Sequence, residues 1–185
     1  MNLQDNMFDT ITKDVIVEKK QGYAFYYQQD DITIIKTNGK LSDESSEDIT
    51  LDTHFRLASV SKQFIAMGII TLVEQQKVNF DTVVFSIYQD LPNYFQKITI
   101  KHLLNHTSGI YDYEEIPHLE SDSQIRDQDI IPFLKTTTNT YFEPGSMYRY
   151  SNTGYILLGL IIEKISNQTI DKYLEEYAVS YTHLT

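Results

Sequence analysis

The sequence predicts an α+β fold. Two aromatic and β-branched runs, Tyr23–Tyr27 and Ile32–Ile35, come early, and two long apolar runs of helical character come later, one after Ser59 and one over Tyr155–Ile162. Strands in one block followed by helices in another is the order typical of that class.

Taken in chain order, residues 1–21 are polar and charged and read as a tail or a short helix. Tyr23–Tyr27 and Ile32–Ile35 read as a hairpin turning at Asp30-Asp31, and Asn38-Gly39 is a second turn signal. Ser42–Asp48 is an acidic, solvated loop. From Ser59 onward Val60, Phe64, Ile65, Met67, Ile69, Leu72 and Val73 cover nearly all sides of a helix, which predicts a buried one. Shorter helices are expected near Ile100–Asn105, with Thr99 as N-cap, and near Asp129–Lys135. Glu143-Pro144-Gly145 reads as a turn, Tyr155–Ile162 as a second buried helix and Ile170–Tyr177 as a last one. Two or three strands make a poor sheet by themselves, so further strands are expected to complete it.

The bulk properties narrow the function. The 185 residues suit one domain or a large piece of one, and 41% apolar residues suffice for a core. Fifteen basic against 26 acidic residues give −11, which repels a phosphate backbone and argues against a nucleic-acid partner. With no cysteine, disulfides, thiolate catalysis and zinc–thiolate sites are excluded. The N-terminus has neither a basic nor an apolar signal region, which reads as cytoplasmic, or as periplasmic or extracellular if the N-terminus is incomplete. The apolar run Phe64–Val73 is too short for a membrane span, which needs ~20 residues. The sequence leaves the oligomeric state open.

Chemistry enters at Ser59-Val60-Ser61-Lys62. On a helix, Lys62 lies one turn beyond Ser59 on the same face, where its amine can approach the hydroxyl. A serine hydroxyl is a weak nucleophile until a neighbour takes its proton, and a helix start offers N–H groups to a developing oxyanion. The pattern is short, and on spacing alone an N-cap serine with a surface lysine is the plainer reading. Against that stands the setting: the eleven residues after Lys62 carry no charge, and lysine is rarely placed against a buried helix without a partner. Tyr150-Ser151-Asn152 precedes the other apolar helix. A phenol can relay protons there, and an amide can hold a substrate carbonyl. An ordinary asparagine cap is the plainer reading of Asn152. Among His54, His102, His106, His118 and His183, only His102 and His106 share helical spacing, with no glutamate between them. No metal site is expected, and His106 is expected to pack in the loop ending at Gly109.

Three segments together carry a resemblance. Phe55–Phe64, Ile98–Ile110, and Phe142–Gly145 leading into Tyr150–Tyr155 resemble, in order, the nucleophile segment, the intervening segment and the tyrosine motif of the β-lactamase-related serine hydrolases. Tyr150 follows Ser59 by 91 residues, a separation of that family's kind. Tyr-Ser-Asn in place of Ser-Asp-Asn resembles the class C enzymes and the related D,D-peptidases, D-aminopeptidases and esterases rather than class A. The resemblance implies a β-lactamase/transpeptidase-like fold, with an antiparallel sheet flanked by helices and a mainly helical region. It implies Ser59 as acylated nucleophile, Lys62 as its activator, Tyr150 as proton carrier, Asn152 as substrate-positioning residue, and the Ser59 N–H as one oxyanion donor. It implies no cofactor, and a small-molecule or peptide substrate cleaved at an amide, lactam or ester bond. Whether Lys62 or Tyr150 is the formal base stays open, since such groups titrate as a pair. The alternative is a scaffolding or slowly acylating penicillin-binding relative.

The chain departs from that family in two places. The third family motif, Lys or His followed by a variable residue and Gly, does not occur after Tyr150, and Lys135-Thr136-Thr137 lacks the glycine. Ala178–Thr185 does not match the family's Pro-Leu-Gly-Met. The expectation is therefore a partial hydrolase domain over residues 22–177 with an atypical tail over 178–185, lacking its C-terminal strands. Losing one oxyanion donor lowers rates by about 10²–10³, so such a chain is expected to be a poor enzyme by itself.

Overall fold

The computed structural model describes residues 8–10, 12, 22–115 and 126–179. Most of the 1–21 segment, most of the 178–185 tail, and His118 and His183 lie outside the described residues. The chain divides into two compact units, Met1–Arg56 and Leu57–Thr185.

In the first unit, β1 (Tyr23–Gln29) pairs antiparallel with β2 (Ile32–Asn38). Each strand runs two or three residues past the run of apolar residues that announced it. Asp30 makes the turn at φ 49°, a left-handed conformation that Asp tolerates better than most residues. Tyr27 opposes Ile34 and Phe25 opposes Lys36, so these four share one face of the hairpin. The Phe8 ring meets Phe25 edge-on at 5.1 Å. Gly39, at φ 83°, turns the chain so that its carbonyl accepts the Ile49 N–H. In the loop that follows, Lys40 pairs with Asp48 at 2.7 Å.

The second unit is helical and holds the main core. Helix α1 (Ser61–Glu74) and helix α5 (Asn152–Ser166) pack together, joined by α6 (Ile170–Leu174). Between them in sequence lie α2 (Val84–Ile87), α3 (Ile100–Leu104) and α4 (Ile130–Thr136). Ile65, Ile69 and Leu72 follow one another at spacings of four and three and so share a face of α1. They meet a facing stripe on α5 that buries Leu157, Leu158, Ile161 and Ile162. Each such side chain contributes about 1.5–3 kcal/mol when fully buried. A Cβ on Gly68 would come within 2.8 Å of Ile162 and 3.2 Å of Leu174, so its absence lets the three helices approach.

Several details depart from the sequence reading. Ser59 belongs to a 3₁₀ turn, Ala58–Val60, and α1 begins at Ser61. The helix is not buried all round. Its partners α5 and α6 cover one side, leaving Ile70 at 39% exposure. The last helix changes winding after Leu174 and continues as a π-helical segment, Glu175–Val179. Helix α2 and the 3₁₀ turn Asn93–Lys97 went unforeseen, because a single turn leaves no period to detect. The Thr99 cap is present, with its hydroxyl accepting the His102 N–H while His102 Nδ1 accepts the Thr99 N–H. No helix among the described residues is long and apolar enough to cross a membrane.

Gly109 ties the loop after α3 to the segment that leads into α5. It sits at φ 69°, its carbonyl accepts the Tyr141 N–H at 2.8 Å, and a Cβ there would lie 2.5 Å from the Phe142 carbonyl. Gly109→Ala is expected to cost roughly 2–4 kcal/mol, because a disfavoured φ and a backbone clash act together. Urea unfolding should show a lower midpoint at unchanged slope, and an unchanged midpoint would contradict the assignment.

Candidate active site

The site is built from two places that are 91 residues apart. The first is the 3₁₀ turn and the opening turn of α1. Ala58 sits at φ 46°, unusual for a residue with a Cβ, immediately before Ser59. The turn leaves Ser59 exposed, and Lys62, partly buried, extends its ammonium back toward it. Lys62 Nζ lies 3.4 Å from Ser59 Oγ.

The second place is the N-terminus of α5. Ser151 is the N-cap, and its hydroxyl accepts the Gly154 N–H at 3.0 Å. Asn152 is therefore the first residue of the helix and not its cap, which frees its side chain. Its Oδ1 accepts from Lys62 Nζ at 2.6 Å. Tyr150, just outside the helix, brings its hydroxyl within 2.6 Å of Ser59 Oγ. The Lys62 ammonium also lies over the Tyr150 ring at 4.8 Å and the Tyr155 ring at 5.6 Å, where ring quadrupoles favour a cation. All four residues singled out in the sequence, Ser59, Lys62, Tyr150 and Asn152, thus meet in one hydrogen-bonded cluster.

The cluster is held by a strip of backbone and side-chain bonds between residues 106–113 and 141–153. Thr107 O accepts the Gly145 N–H and His106 O accepts the Arg149 N–H, both at 2.8 Å. His106 Nδ1 accepts the Ser151 N–H at 3.1 Å. Buried Asp112 accepts the Asn152 N–H through one oxygen and the Glu114 N–H through the other. Thr153 Oγ1 accepts the Tyr113 N–H at 2.9 Å. An acidic cap at a helix N-terminus also suits the helix dipole. Farther out, Arg149 pairs with Glu115 at 2.6 Å, and the Tyr141 hydroxyl donates to the same carboxylate. Asp112 had no signature in the sequence, because it caps a helix that begins 40 residues later.

Electrostatics follow from this geometry. The hydrogen bond from Lys62, and after it the bond with Ser59, holds the Tyr150 phenol below its ordinary range, against a smaller opposing effect of burial. Burial, then the charge of Lys62, pushes the His106 imidazole below its ordinary value, while Asp112 opposes. The cluster opens onto a cavity of about 460 Å³, lined by Ser59, Lys62 and Asn152, by the apolar Ile65 and Ile156, and by two carboxylates, Glu114 and Asp127. Chemically, the arrangement offers a hydroxyl in contact with a phenol whose proton is held less tightly than usual, and beside them a cation that favours the phenolate form.

The sequence profile of the family described as "Beta-lactamase" matches residues 10–179. Among curated proteins, the chain is 40% identical over 124 residues to "Penicillin-binding protein 4*" of Bacillus subtilis (strain 168), covering 65% of this chain and 27% of that protein. Among solved structures, a D-amino acid amidase from Ochrobactrum anthropi SV3 complexed with L-phenylalanine superposes with a TM-score of 0.78 at 28% identity over 95% of this chain. A penicillin binding protein from Bacillus halodurans superposes with a TM-score of 0.73 at 32% identity over 90% of the chain. The chain spans 51% and 52% of those two solved chains.

Replacing the cation tests the coupling between Lys62 and the phenol. In Lys62→Met the Tyr150 titration should move upward toward the ordinary tyrosine value, because the largest influence holding it down is gone. The shift can be followed by ¹³C NMR of labelled tyrosine, and a titration that stays in place would contradict the coupling.

Proposed function

Since this chain belongs to the Beta-lactamase family, we propose that it contributes the acylating machinery of a serine hydrolase, with Ser59 as nucleophile. The observation that carries this reading is the approach of Lys62 Nζ and the Tyr150 hydroxyl to Ser59 Oγ, with the Lys62 ammonium over the Tyr150 ring. In the proposed reaction Ser59 Oγ attacks the substrate carbonyl carbon while its proton passes to the Lys62–Tyr150 pair. The Ser59 N–H faces the developing oxyanion. Collapse of the tetrahedral adduct breaks the scissile bond, and the pair returns the proton to the departing amine or alcohol. Water then attacks the ester, and the same groups act in reverse to free Ser59. The Oδ1 of Asn152 is engaged by Lys62, which leaves its NH₂ to donate to a substrate carbonyl.

Of the amide, lactam and ester substrates that such chemistry serves, the cavity favours an amide carrying a free ammonium near the scissile bond. Glu114 and Asp127 line it together with the Lys62 cation, and this net negative lining favours a cationic substrate group. The similarity to a D-amino acid amidase supports the same class. The alternative, a scaffolding or slowly acylating penicillin-binding relative, predicts slow acylation or none.

A fluorophosphonate probe should label the protein at Ser59, and Ser59→Ala should not be labelled. Tyr150→Phe should slow labelling by about 10²–10⁴, the range ascribed to general acid–base groups. Persistent labelling of Ser59→Ala would reject Ser59 as nucleophile, and an unlabelled wild-type protein would favour the non-acylating alternative. N-acetylation of an amino-acid amide substrate should lower kcat/KM by about fivefold, the value of a partly exposed ion pair. Equal kcat/KM would reject the ammonium preference.

A further inference from the structure

We propose that His106 is a positioning residue for the Tyr150 hydroxyl, and that it acts as a neutral imidazole whose Nδ1 accepts the Ser151 N–H. The inference rests on the acyl-transfer reading of the same site.

His106 holds both chain neighbours of Tyr150. Its carbonyl accepts the Arg149 N–H at 2.8 Å, and its Nδ1 accepts the Ser151 N–H at 3.1 Å. Its ring lies 4.6 Å from the Tyr150 ring at 30° and 5.1 Å from the Tyr155 ring at 36°. With both flanking residues and the ring plane fixed, the phenol keeps little freedom beyond rotation of its O–H. His106 adopts φ 57° to reach all of these partners, a conformation that a residue with a Cβ keeps only where its surroundings over-determine it.

The bond from Ser151 sets the protonation state. An imidazole nitrogen accepts only when it carries no proton, so the neutral ring must hold its proton on Nε2. A second proton on Nδ1 would turn the Ser151 N–H bond into a repulsion and release one side of Tyr150. The groups facing the ring are Lys62, Asp112, Tyr148, Tyr150 and Tyr155. Burial and the Lys62 charge favour the neutral form, and Asp112 opposes. The folded-state imidazole thus titrates below its unfolded value, so the arrangement is complete at neutral pH and is lost as pH falls through the lowered value. An acid limb of acylation follows.

Two substitutions separate acceptor from ring. His106→Asn keeps an acceptor the same number of bonds from the backbone and tolerates positive φ, but has no ring and does not titrate. His106→Phe keeps the ring and loses the acceptor. Fluorophosphonate labelling rates against pH, and NMR titration of Tyr150, are measured for the wild type and both variants. The expected result is that His106→Phe labels about five- to tenfold more slowly, the value of one lost hydrogen bond, with its Tyr150 titration moved upward. His106→Asn, with its acceptor restored, is expected to label faster than His106→Phe at neutral pH and to lack the wild-type acid inflection. Phe matching wild type in both readouts, or an acid inflection that persists in His106→Asn, would overturn the proposal. If His106→Phe does not fold, the His106→Asn profile decides. If the wild type is not labelled, the acyl-transfer reading fails, and the Tyr150 titrations of the wild type and the two variants still decide the role of His106: upward in Phe alone supports it, unmoved in Phe overturns it.

Discussion

The strip of hydrogen bonds joining residues 106–113 to 141–153 is the constraint on which the site depends. Ser59 sits in the turn that leads into α1 and Lys62 on α1 itself, whose packing against α5 fixes the distance between the two helices but not the rotation of the segment entering α5. That rotation is set by His106, Thr107, Gly109 and Asp112, each of which accepts an N–H from the 141–152 segment. Remove the strip and the core remains, but the Tyr150 phenol has no reason to lie 2.6 Å from Ser59 Oγ.

The same organisation explains how strain and charge are tolerated. Ala58 and His106 both adopt positive φ, and both adjoin the cluster. Each costs of order 1–3 kcal/mol, which the surrounding bonds must offset. Lys62 is likewise costly to desolvate, and among the described residues it is met by an amide oxygen, a hydroxyl and two aromatic faces rather than by a carboxylate. A carboxylate partner would neutralise the cation locally. Neutral partners leave its field available to lower the Tyr150 phenol.

Much of this was legible in the sequence. The hairpin, α1, α3 with its Thr99 cap, α4 and α5 were announced by periodicity and cap chemistry, and the four site residues by Ser-x-x-Lys and Tyr-Ser-Asn in their flanking segments. The part that was not legible is long-range or conformational. Asp112 caps a helix 40 residues away, so no local spacing points to it. His106 was expected to pack and hydrogen-bond in the loop ending at Gly109, as it does, but its reach to Ser151 and Tyr150 depends on a backbone torsion that histidine's identity does not encode. The exposed side of α1 escaped periodicity as well, because Ile70 is as apolar as its buried neighbours.

The separation of 91 residues between Ser59 and Tyr150 bears on how the protein is made. At ribosomal speeds of about 5–20 residues per second, roughly 5–20 s pass between synthesis of the serine and synthesis of the tyrosine. During that interval α1 has emerged without α5, and Ile65, Ile69 and Leu72 have no partner stripe to cover them. The nascent chain therefore presents a sticky helix well before Ser59 and Tyr150 can meet. The hydroxyl pair assembles only once α5 is available to cover that helix.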